Sequence, residues 1–142
     1  MTETQRQQIL EAISPDAGYS AGASELNNLT GTGTVVSEDK ILIPKPEILA
    51  MLSDSSIVNL QDFLQGTGEQ ARAFAYRWDT IDNMDMAHSV TRQSIQALAL
   101  GGIVTDAEAA NVLALGEREA TLADDILGRK ATAEDIMEAR NG

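Results

Sequence analysis

Gly101-Gly102, followed within three residues by Thr105-Asp-Ala-Glu108, constrains this chain more than any other stretch. Glycine just past a run of helix formers enters left-handed geometry without a Cβ penalty and stops the helix. The Thr-x-x-Glu that follows starts another, because hydroxyl and carboxylate can each satisfy a free N–H of the first turn. A stop and a start this close predict an αα-hairpin. Its first helix spans 88–100, with Val90 or Thr91, Ile95 and Leu98 inward. Its second runs from Thr105 as far as Leu127, tolerating Gly116 at about 1 kcal/mol relative to Ala.

The same reasoning organises the rest. Residues 2–13 form a short amphipathic helix closed by Ser14-Pro15. Four glycines and Asn27-Asn28 make 16–33 mostly loop, with at most one helical turn at 23–29. Helices are predicted at 47–52, at 57–64 (Ile57, Leu60, Phe63 and Leu64 on one face) and at 69–78, with Trp78 in the core. Residues 79–85 read as a loop or helix entry, and Thr132-Ala-Glu-Asp135 caps a last helix ending at Arg140. No repeat is evident, and 142 residues fit a single domain spanning 1–142. The predicted fold class is mainly α.

Residues 29–46 depart from this pattern. Val35-Val36 and Ile41-Leu42-Ile43 are β-prone and separated by four polar residues, which predicts a β-hairpin or an extended arm. Pro44 and Pro46 end strand pairing. As an arm it could add a strand to a neighbour, so Val35, Val36, Ile41, Leu42, Ile43 and Pro44 are the candidate partner-binding residues.

Composition excludes several functions. With no cysteine there is no disulfide, thiolate metal site or Cys nucleophile. The net charge of −12 and the scattered cations repel a phosphate backbone, so no nucleic-acid partner is expected. No apolar run suits a signal peptide or a membrane span.

The strongest candidate for chemistry is 78–88, where Asp79, Asp82, Asp85 and His88 recur at three-residue intervals and could face a cation. The alternating ligands and central glycine of a calcium loop are absent, so a solvated acidic helix entry is the favoured reading. His88, the only histidine, has no nucleophile or orienting carboxylate marked for it. No enzyme activity and no cofactor are expected.

The order of short motifs resembles a family of small proteins encoded among the structural genes of tailed bacteriophages. The resemblance rests on Asp-Ala-Gly-Tyr-Ser at 16–20, Leu26-Asn27, Pro-Glu-Ile-Leu at 46–49, and Trp78 with Ile81-Asp82. It continues through 101–109, Ala-Leu-Gly at 114–116, 123–128 and Ala-Thr-Ala-Glu-Asp-Ile-Met-Glu-Ala-Arg at 131–140. The chain departs from the family where Thr121-Leu122 replaces Ser-Arg, and in its fuller insertion at 30–43. The resemblance implies a virion component of tail, neck or capsid, or an assembly accessory. Its partners would be other virion proteins or further copies of itself, and it supplies no catalytic residues. The alternatives are an acidic phage regulator that binds a host protein and, more weakly, a metal-dependent enzyme using residues 79–88.

Overall fold

The computed structural model describes residues 1–142 and is mainly α-helical. In chain order the elements are α1 (Glu3–Ala12), α2 (Tyr19–Asn28), β1 (Thr30–Val36), β2 (Leu42–Pro44), α3 (Lys45–Leu49), α4 (Asp54–Leu64) and α5 (Glu69–Thr80). They continue with β3 (Asn83–Asp85), α6 (Ser89–Leu100), α7 (Asp106–Ala114), β4 (Glu117–Thr121), α8 (Leu122–Leu127) and α9 (Ala133–Asn141). The chain packs as two compact units, residues 1–35 with 118–142 and residues 36–117. The physical reason is that the buried side chains form two separate clusters, one in each unit.

In the first unit α1, α2, α8 and α9 enclose Ile9, Ile13, Leu26, Ile126 and Ile136 together with Ala23, Ala123, Ala131 and Ala139. Burying a large aliphatic side chain stabilises by about 1.5–3 kcal/mol, and an alanine by much less. Polar ties therefore matter more here. The Asn27 side chain donates to Ala131 O at 3.0 Å and accepts from Ala131 N–H at 2.8 Å, as a paired strand residue would. The Arg140 guanidinium donates to the carbonyls of Ser14, Pro15 and Ala17 and so closes the turn after α1.

α2 corrects the sequence reading, which made 16–33 mostly loop. Gly22 lies inside this helix because a Cβ there would press on Ile136 and Ile13 at 3.2–3.4 Å. Glycine at this position lets α2 approach these isoleucines closely, and that tertiary contact offsets its low helix propensity.

The single helix predicted from Thr105 to Leu127 is also corrected. α7 stops at Ala114, β4 follows, and Thr121 caps a new helix, α8. The interruption has a local cause at Gly116, where a Cβ would overlap the Met86 carbonyl, so only glycine lets these two backbone segments touch. Glu117–Thr121, a run of helix formers, is drawn into pairing with β1. Tertiary pairing overrides intrinsic preference here.

The β-prone runs are extended, as predicted, but they do not pair with each other: β1 pairs with β4, and β2 with β3. Leu122 N–H donates to Leu29 O just before β1, and Ser37 N–H to Gly116 O just after it. These bonds set seven residues of β1 against five of β4. Gly33, at φ 73°, is in left-handed backbone within β1, a conformation that glycine adopts without a Cβ penalty. The β2–β3 ladder is antiparallel, with Ile43 opposite Met84.

In the second unit α3–α7 and the β2–β3 ladder surround Ile48, Met84, Met86, Ile95, Val104 and Val112. The predicted αα-hairpin is present: α6 packs on α7, and Gly102, at φ 72°, makes the turn. The side chain of Arg92 is pinned inside the unit, donating to Leu113 O at 2.7 Å and Met86 O at 3.3 Å and pairing with Glu117 at 3.3 Å. Lys45 Nζ donates to Trp78 O at 2.7 Å and lies 5.2 Å from the Trp78 ring centroid, capping the C-terminal end of α5.

Gly116→Ala should destabilise by about 2 kcal/mol or more, since a backbone contact must open. Gly18→Ala, with nothing within 4 Å of the new Cβ, should change stability little. Thermal unfolding of the two variants beside the parent chain measures the difference.

Candidate functional site

The predicted acidic cluster does not converge. Asp79 lies on exposed α5, Asp82 offers its backbone carbonyl to Lys45 N–H, and Asp85 ends β3. The Asp85 carboxylate is engaged with the backbone, accepting from Ile41 N–H and Ala87 N–H at 3.1 Å each. His88 caps α6, its Nδ1 accepting from Val90 N–H at 3.2 Å. No group of three or more His, Asp or Glu side chains is arranged to hold a metal ion.

The carboxylates whose ionisation is most perturbed lie elsewhere, and all sit at helix starts. Glu108 accepts from Ser56 Oγ–H, Thr105 N–H and Ser53 N–H, which hold it down at about 2. It therefore begins α7 and also ties down the start of α4. Asp135 is held at about 2, first by the Arg129 guanidinium and then by the N–H and hydroxyl of Thr132, against the opposing effect of burial. Asp124 is pushed well below the usual carboxylate range by Arg118 and the Thr121 cap in the same way.

These last two sites share one design that the sequence reading missed. Arg-x-Ala-Thr-x-x-Asp occurs at 118–124 and again at 129–135, eleven residues apart. In both copies the arginine makes two parallel bonds to the aspartate, at 2.6 and 3.0 Å in the first and 2.7 and 2.8 Å in the second. In both, the threonine and aspartate complete a capping box. The matched spacing of Arg, Ala, Thr and Asp is the signal that reveals it.

The predicted partner-binding residues divide. Ile41, Ile43 and Pro44 are half-buried, and Ile43 packs on the core of the second unit. Val35 is half-buried, while Val36 and Leu42 remain outward at 43% and 55% exposure.

A concave feature lies in the second unit, between α5 and α6. It is an open cleft of about 570 Å³, with Glu69, Ala73 and Arg77 along one wall and Ser94, Ala97 and Gly101 along the other. Phe74 contributes from α5, edge-on to Phe63 at 5.5 Å and stacked on Trp78 at 6.3 Å. A hollow of about 80 Å³ continues past Arg77 toward Ile81 and Val90. Two large side chains on these helices are exposed, Leu100 at 90% and Tyr76 at 74%. Trp78, predicted as core, is half-buried and packs against the core cluster of the second unit.

No family model, curated protein or solved structure matches the chain.

Asp135→Asn removes an acceptor that is ionised in the folded state. Folding lowers the Asp135 pKa, so its contribution is present in full above the unfolded value near 4 and fades as pH falls toward about 2. At neutral pH the variant should lose about 1–2 kcal/mol, the usual cost of a lost cap and charged hydrogen bond. Parent and variant should converge in thermal stability as pH approaches about 2.

Proposed function

We propose that this chain is a non-enzymatic structural or assembly-accessory protein of a tailed-bacteriophage virion, acting through protein–protein contacts. The observation that carries the reading is the open cleft between α5 and α6, on two helices that also leave Leu100 and Tyr76 exposed. Aromatic and large aliphatic side chains left in water around a concave surface are the material from which contact sites are made. The strongly perturbed carboxylates supply a second line of support. Glu108, Asp124 and Asp135 are committed to helix starts, so their ionisation is explained by folding. The motif resemblance to phage structural-gene products supplies the biological setting, and the family departures at Thr121-Leu122 and 30–43 fall beside or within the β1–β4 ladder.

The outward side chains of Val36 and Leu42 are secondary candidates for the same role. β1 is a less open edge than its composition suggests. The Asp125 carboxylate accepts from Thr32 N–H at 3.2 Å, and Gly33 within the strand has left-handed backbone.

The test is mass spectrometry of gradient-purified particles of the phage that encodes the chain. The expected result is a fixed copy number per particle. Particles that are infectious and free of the protein would overturn the virion reading.

A further inference from the structure

The α5–α6 cleft is lined by one cation, Arg77, whose guanidinium makes no ion pair or hydrogen bond within the chain. Acidic residues outnumber basic ones 22 to 10 here, and Arg92, Arg118 and Arg129 each hold a carboxylate. An arginine left without one at a concave surface is a ready partner for a carboxylate from outside. Arg77 lines both the cleft and the smaller hollow that continues from it, as do Phe74 and Ser94. Thr91 also lines the hollow, and its hydroxyl has no hydrogen-bond partner within the chain. A free cation and a free hydroxyl therefore border the same small space.

Charge gives the cleft a direction. Its one carboxylate, Glu69, lies eight residues before Arg77 on α5, about 12 Å along the helix. That exceeds the Debye length of about 8 Å at physiological salt, so each charge acts at its own end. An incoming carboxylate is attracted at Arg77 and repelled at Glu69. Much of the remaining lining is apolar: Phe63, Leu98 and Ile103 in the cleft, and Trp78, Met84 and Val90 in the hollow. The space falls from about 570 Å³ in the cleft to about 80 Å³ in the hollow. A chain laid along the cleft thus reaches Arg77 with room for a side chain beyond it, but not for a continuing backbone. A carboxylate, an apolar side chain on the neighbouring carbon and no further chain together describe a protein C-terminus that ends in an apolar residue.

We propose that the α5–α6 cleft binds the C-terminal segment of a partner protein whose last residue is apolar. The terminal carboxylate sits on Arg77, the last side chain enters the hollow, and the preceding residues lie along the cleft toward Glu69. The proposal rests on the reading of the chain as a contact protein and states the chemistry of its partner. Capture of a terminal carboxylate is a recurring mode of peptide recognition.

The probe is acetyl-Ala-Ala-Ala-Leu with a free carboxylate, titrated into the full chain and followed by NMR. Its carboxamide and decanoate serve as comparisons. The acid should bind saturably, shift the indole signal of Trp78, the only tryptophan, and bind about tenfold or more tighter than the carboxamide. Arg77→Gln should lower the acid to the affinity of the carboxamide and leave the carboxamide unchanged, a split that loss of folding would not give. Arg72→Gln, on α5 but outside the cleft, should keep the preference for the acid. Absence of saturable binding would overturn the proposal. So would equal binding of acid and carboxamide by the parent, or a preference that survives Arg77→Gln. Decanoate binding as tightly as the peptide would assign the site to a small amphiphile and overturn the protein partner. The virion reading is measured on particles and this one on the purified chain. A peptide-binding chain missing from virions sinks only the former, and a virion component indifferent to the peptide sinks only the latter.

Discussion

The hydrogen-bonded helix start is the interaction on which this structure most depends. Four of the nine helices begin with a complete capping box, at Thr2, Thr105, Thr121 and Thr132. Short helices are marginal on their own, and an alanine-rich core returns little for each residue ordered. Fixing each start with two side-chain hydrogen bonds removes the ambiguity that such a core leaves. At α8 and α9 the device is reinforced by a bidentate arginine, so the aspartate stays charged while it is nearly buried. At α7 the same carboxylate, Glu108, also fastens the start of α4 through Ser53 and Ser56.

This dependence also explains what could be read in the sequence. Helix starts marked by Thr-x-x-Glu and stops marked by Gly101-Gly102 are local, and the α6–α7 hairpin follows from them. The mainly α fold class is legible for the same reason. Features set by distant partners are not. Nothing near Gly22 reveals that Ile136 will press on it from the other end of the chain. Glu117–Thr121 has the composition of a helix and becomes a strand because Gly116 must meet Met86 and β1 offers a ladder. Ile41–Pro44 was legible as extended, but its partner at Asn83–Asp85 lies some forty residues on, in a stretch read as an acidic loop.

The candidate site followed the same division. Asp79, Asp82, Asp85 and His88 share a spacing that suggests a cluster, but β3 and the α6 cap send them to separate tasks. The α5–α6 cleft was invisible because half-buried Phe74 and Trp78 have the same periodicity as core residues. What the sequence did carry was a stretch of twenty residues, 86–105, whose one charged residue is Arg92.

The most direct test of this account is a pH titration of the side-chain carboxyl carbons by NMR. Glu108 and Asp135 should remain ionised down to about pH 2, Glu108 on its serine and threonine donors and Asp135 on Arg129 and Thr132. Titration of both groups in the ordinary carboxylate range near 4 would show that these contacts do not form, and would contradict the claim that the helix starts hold this fold together.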